Sequence, residues 1–139
     1  MTADHEEIWN QMLDEIRSLY FPRWDRNKMW VIKLADRNLC RGESAYCDSK
    51  VKTIYVHESD FMGMKFEGIY AFVIHEICHD VGAARHGLGW AKRMEKAARR
   101  VESLGQNEIA NQLRNHIYAY CEIDIFRSVT GLEICPYQT

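Results

Sequence analysis

The sequence predicts an α+β domain: an N-terminal helix, a small three-stranded sheet, then three helices. Three observations predict it. Apolar residues recur every three or four positions near the N-terminus. They alternate with polar residues between positions 29 and 56, and helical spacing returns from about Asp60 onward.

The first helix is carried by Ile8, Trp9, Met12, Leu13, Ile16, Leu19 and Tyr20, and Pro22 ends it. Met29 to Leu34 alternates, with Trp30, Ile32 and Leu34 opposed to Val31 and Lys33, and is expected to be a strand. Leu39 to Tyr46, with a bend at Gly42, is expected to be a second. Asp48-Ser49-Lys50 has turn chemistry, and Val51 to Val56 alternates as a third. A helix is expected from near Asp60 to Gly82, which can stop it. The next runs from about Gly87 to Leu104, burying Trp90, Met94, Ala97, Ala98 and Val101 before Gly105. The last covers about Asn107 to Val129, with Ile109, Leu113, Ile117 and Tyr120 facing inward. No repeat, low-complexity tract or linker interrupts residues 1–139, so one domain is expected.

At 139 residues and 47% hydrophobic, the chain can bury about two-thirds of its unfolded surface. It needs neither disulfides nor a metal merely to fold, so any metal is expected to be functional. A net charge of −2 gives no overall attraction to nucleic acid or anionic membrane. The five cysteines (Cys40, Cys47, Cys78, Cys121 and Cys135) are odd in number, widely spaced and without a Cys-x-x-Cys pair. They fit reduced thiols in a cytoplasmic protein better than a zinc ribbon or a redox pair. No signal peptide is visible in Met1 to Trp9, and the longest apolar run, Ile69 to Ile74, is too short to span a bilayer.

The chemistry concentrates in His75-Glu76-Ile77-Cys78-His79. Histidines four apart on a helix share a face, with Cβ atoms about 5–6 Å apart, so both imidazoles can reach one metal ion. Glu76, beside the first, can take a proton from a water at the metal without ligating it. The pentad alone is weak, since a shuffled chain with 6 His and 12 Glu would carry it with odds of about 0.02. Context decides. Ile69, Tyr70, Phe72, Val73 and Ile74 precede it, which places this helix in the core. Buried imidazoles and a carboxylate are costly without partners, which favours a metal over two hydrogen-bonded core histidines. Catalytic zinc takes three protein ligands and leaves a fourth position open. His86, a short connection after Gly82 and before Gly87, is the natural third. Glu122, and less so Asp124, on the last helix are the alternatives.

The run His75-Glu76-x-x-His79, then His86-Gly87-x-x-Trp90, then a helix ending at Gly105, resembles the SprT-like zinc metallopeptidase family. Residues 42–47 and Lys52-Thr53-Ile54-Tyr55-Val56 also resemble that family's stretch ahead of the motif. The resemblance implies a zincin-like fold, His75, His79 and His86 as ligands to one Zn2+, Glu76 as catalytic base, and hydrolysis of peptide bonds in protein substrates. The chain departs from it in a short loop before His86, in the absence of a zinc ribbon, and in the charge of Asp80. His75-Glu76-x-x-His79-x-x-Gly82 also looks like the metzincins, but there the third histidine would fall at Arg85, and no methionine turn follows.

Some enzymes of this kind add a side chain to stabilise an oxyanion. Arg114, His116, Tyr118 and Tyr120 are the nearest candidates, each more often a plain helix residue. Val51 to Val56 is either an ordinary core strand or, if its edge is open, a place to add an extended peptide. Lys92, Arg93, Lys96, Arg99 and Arg100 place five positive charges in nine residues, opposed by Glu95. SprT-like proteins often act on DNA-bound proteins, which makes this helix a candidate nucleic-acid surface; a solvated basic face is the commoner meaning. A non-catalytic zinc-binding interaction module is the rival to an enzyme, although such a module has no need of Glu76.

Overall fold

The computed structural model describes residues 2–137, with side chains from His5 onward. Its elements are α1 (Thr2–Tyr20), β1 (Val31–Ala35), β2 (Ala45–Asp48), β3 (Thr53–His57), α2 (Glu58–Phe61), α3 (Phe66–Val81), α4 (Leu88–Ser103), α5 (Asn107–Tyr120) and α6 (Ile123–Thr130). The α+β class is as expected. Backbone contacts divide the chain into two compact units, Met1–Lys65 and Phe66–Thr139. None of the described helices is long and apolar enough to cross a membrane.

In the first unit, α1 buries Trp9, Met12, Leu13 and Ile16, the spacing of one helical face. β1 alternates as expected, with Ile32 buried between exposed Val31 and Lys33. Side chains of α1 stand in for a neighbouring strand along the outer edge of β1. Asn10 accepts the Ile32 N–H at 2.8 Å and donates to the Ile32 carbonyl at 3.0 Å, while Glu6 accepts the Leu34 N–H at 2.8 Å. That edge is thereby closed to another chain. The sheet order is β1-β3-β2, with β3 parallel to β1 and antiparallel to β2. β3 is therefore the central strand, hydrogen-bonded on both sides. Of the two readings of Val51 to Val56, the ordinary core strand holds, because β3 has no open edge to which an extended peptide could be added.

Three expected boundaries move. The stretch from Leu39 is turn rather than strand until Ala45. Asp36 accepts the Leu39 N–H, and Gly42, with φ of +79°, donates its N–H to the Arg37 carbonyl. The helix from Asp60 is interrupted at 62–65, where Gly63 also takes a positive φ of +79°. The last helix breaks at Cys121 and Glu122, both extended, giving α5 and α6. The Asp48 turn is present, with its carboxylate accepting the Lys50 N–H.

The loop after α1 is held by one buried ion pair. Arg17 donates through Nε to Asp25 Oδ2 at 3.0 Å and through Nη2 to the Trp30 carbonyl at 3.1 Å. The same carboxylate accepts the Met29 and Trp30 backbone N–H groups at 2.8 and 3.0 Å. The Asp25 side chain is 2% exposed and that of Arg17 is 7%.

The second unit is all helical. α3 is buried over most of its circumference (Tyr70, Ala71, Val73, Ile74, Ile77 and Cys78), and α4 and α5 both pack against it. α4 buries the five residues expected of it, and α5 buries Ile109, Leu113, His116 and Ile117. Tyr120 departs from expectation: it ends α5 at 45% exposed.

Removing Asp25 would leave the Arg17 guanidinium with Asp14 and the Trp30 carbonyl as its partners and take the side-chain acceptor from the Met29 and Trp30 N–H groups. Asp25→Ala is expected to lower unfolding free energy by about 2–3 kcal/mol, since Arg17 keeps its pair with Asp14. Urea denaturation monitored by tryptophan fluorescence checks this, and a loss below ~1 kcal/mol would show that the pair does not hold the loop.

Candidate metal centre

All the residues of the candidate site lie in the second unit. α3 places His75 and His79 one turn apart, His75 buried and His79 half-buried. Gly82 then lets the chain turn back. A Cβ there would meet the Cys78 carbonyl at 2.7 Å and the Gly89 carbonyl at 3.2 Å, so only glycine admits the start of α4 this close to the end of α3. The connection 83–87 returns His86 to the two helical histidines. Gly87 is the N-cap of α4 and has open space where its Cβ would be, so it is not needed to make room for the His86 ring.

Three ring nitrogens converge. His86 Nε2 lies 3.1 Å from His75 Nε2 and 3.0 Å from His79 Nε2. Among the described residues, His75, His79 and His86 form a group whose ligand atoms all lie within 4.8 Å of one another and could hold a metal ion. A tetrahedral ion with bonds of about 2.0–2.1 Å sets its ligands about 3.3–3.4 Å apart, so the spacing suits one. The proton inventory agrees. His79 Nδ1 lies 2.9 Å from the Ala83 carbonyl, which can only accept, so this nitrogen carries the hydrogen and Nε2 presents a lone pair to the cluster. A cation would satisfy three such nitrogens at once if each presented a lone pair, whereas one shared hydrogen could not.

The electrostatics keep these rings neutral, as ligands must be. Burial, reinforced by His116, His79 and His86, holds His75 well below the usual 6.5. Burial also lowers His79, against the Ala83 hydrogen bond. Burial and the neighbouring His79 push His86 down to about 4.

Glu76 is buried, and its Oε2 lies 3.7 Å from His75 Nε2, on the side where the three nitrogens meet. Trp90, fully buried in the first turn of α4, donates its indole N–H to the His75 carbonyl at 3.2 Å. Its ring stacks near-parallel on His79 (5.6 Å, 20°) and meets His86 edge-on at 4.7 Å. One indole therefore touches all three imidazole positions.

The structure sorts the remaining candidates. Glu122 and Asp124 are exposed, in the N-cap and first turn of α6, and neither joins the histidine group. Arg114 is engaged by Glu95 and Glu102 at 2.9–3.0 Å. Tyr118 packs edge-on against Phe126. Tyr120 does border the site, its ring stacked on His86 (4.5 Å, 27°) and edge-on to His75 at 5.0 Å. His116 sits behind the site, its Nδ1 3.0 Å from His75 Nδ1. That contact went unread in the sequence, where His116 stood as an oxyanion candidate; its place on the apolar face of α5, four residues before Tyr120, was the available sign. The thiol of Cys121 donates to the His86 carbonyl at 3.1 Å, and burial raises its pKa.

The five basic residues of α4 are all exposed. Lys92, Lys96 and Arg99 line a groove of about 310 Å³ with Ser128 and Val129 of α6, and Glu95 also borders it. Arg93 instead lies beside Gly82 at the end of α3.

No protein-family model, curated protein or solved structure matches this chain.

The neutral cluster has a consequence for metal-free stability. Folded values below 6.5 mean that the unfolded chain binds more protons, so this stabilisation is present above about pH 6.5 and is lost as pH falls toward 4. For His116, which burial and His86 lower to about 4, the full loss is roughly 3 kcal/mol, more than half of it reached by pH 5. Urea midpoints of metal-free protein at pH 7.5 and 5.0 test this. Equal midpoints would mean that the imidazoles are not buried neutral.

Proposed function

We propose that the chain is a zinc-dependent metallopeptidase of SprT-like kind that hydrolyses peptide bonds in protein substrates. The observation that carries the reading is the convergence of His75, His79 and His86 through Nε2 with the Glu76 carboxylate beside them. Three neutral imidazoles leave a tetrahedral ion one open position, and an all-nitrogen set suits zinc. The half-buried state of His79 and His86 leaves that side within reach of solvent and substrate.

A bound zinc supplies a Lewis acid that brings the pKa of coordinated water to about 7 and polarises a carbonyl. The chain supplies the rest. Glu76 accepts the proton of the attacking water and returns it to the leaving amine. Trp90 and the Ala83 carbonyl hold the ligand rings against rotation. Tyr120, lying over His86 and His75 at the solvent side, is the side chain best placed to meet the substrate carbonyl.

A non-catalytic metal module would share the three histidines but would give Glu76 no task. The position of Glu76 therefore favours the enzyme.

Protein purified without a histidine tag is expected to carry about one zinc, and His86→Ala to lose it. Retention of zinc by His86→Ala would remove His86 from the ligand set. Glu76→Gln is expected to keep its zinc and lose about 10²–10⁴-fold in cleavage of an unfolded protein substrate. Equal cleavage by Glu76→Gln would end the enzyme reading and leave the metal module.

A further inference from the structure

His75 Nδ1 and His116 Nδ1 are 3.0 Å apart and both rings are buried. Two neutral ring nitrogens at this distance share one hydrogen, which one of them carries and the other accepts. The direction decides what His75 presents at its opposite nitrogen. If His116 donated, neutral His75 would carry its hydrogen on Nε2, pointing into the cluster where His86 Nε2 lies at 3.1 Å. If His75 donates, its Nε2 is a bare lone pair, matching the lone pair that the Ala83 carbonyl enforces on His79.

We infer that His116 is a positioning residue of the metal centre: its Nδ1 accepts the Nδ1–H of His75 and holds that ring in the tautomer and orientation a metal ligand needs. The inference rests on His75, His79 and His86 being the ligand set. The surroundings fix His116 in this task. Phe72 packs at 4.5 Å from its ring, and α5 carries it rigidly against α3. Carboxylates and backbone carbonyls usually take this place behind a ligating histidine. An imidazole acceptor differs from a carboxylate in bringing no charge, so it orients His75 without adding an anion to the interior.

The test uses full-length protein and zinc itself, with affinity measured by competition against a chromogenic chelator. His116→Asn keeps a side-chain oxygen close to the position of the lost Nδ1, and His116→Leu has no acceptor. Partners of this kind typically govern metal affinity by about 10- to 100-fold. His116→Leu is therefore expected to bind zinc about 10- to 100-fold more weakly, and His116→Asn to stay within about threefold of wild type. Long-range ¹H–¹⁵N spectra of the zinc-loaded wild type are expected to show His116 Nδ1 without hydrogen and His75 Nδ1 with one. This readout needs no variant to fold. Wild-type affinity in His116→Leu, or a protonated His116 Nδ1 in the zinc-loaded spectrum, overturns the inference while leaving the three ligands standing. Failure of the wild type to bind zinc overturns the ligand set and the inference with it.

Discussion

Imidazole nitrogens brought within about 3 Å of one another, inside a largely apolar helical unit, are the constraint around which Phe66–Thr139 is built. Bringing polar rings this close requires that each hydrogen have a defined acceptor, because an unmatched polar atom in such surroundings is costly. The backbone and neighbouring side chains meet that requirement one atom at a time. The Ala83 carbonyl takes the outer hydrogen of His79, His116 faces the outer nitrogen of His75, and Trp90 donates to the carbonyl of His75. Gly82 makes the arrangement reachable, since any side chain there would push α4 away from α3 and carry His86 off with it.

The same logic explains the heavily charged α4. Glu95 is buried at the centre of the five basic residues and is clamped by Arg114 from α5 and Arg99 from its own helix. A buried carboxylate with a bidentate guanidinium fixes the registration of α4 against α5 more than it adds net stability. Lys92, Arg93, Lys96, Arg99 and Arg100 are all exposed and fall within about 120° of one helical arc, so they form one basic face with Glu95 buried beside it.

What could be read from the sequence is what depends on local spacing. The helical positions of His75 and His79, the core character of α3 and the buried face of α4 all follow from a 3.6-residue period. His86 followed from the coordination arithmetic of zinc. What could not be read depends on partners distant in sequence. His116 meets His75 across 41 residues, and its place on the apolar face of α5 shows that it is buried but not which residue it meets. Whether β3 has a free edge could not be read either, because alternation does not reveal which strand pairs with which. The break between α5 and α6 has neither glycine nor proline to mark it. It coincides with the Cys121 thiol reaching the His86 carbonyl, a tertiary contact that prevails over helical continuity.

That break also decides the shape of the site. Were α5 to continue through Cys121, Tyr120 would be an interior helical residue on a face with Ile117 and Leu113, both fully buried. Ending the helix at Tyr120 turns the chain away and leaves the phenol ring half in solvent, lying flat over His86. The centre consequently has two unlike sides. Behind it lie buried His116 and Trp90 with Phe72; in front lie Tyr120, 45% exposed, and half-buried His79 and His86. A purely structural metal has no use for that asymmetry, because a closed site is the more stable one. The asymmetry fits the peptidase proposed above, whose site would have to admit a water and a peptide carbonyl.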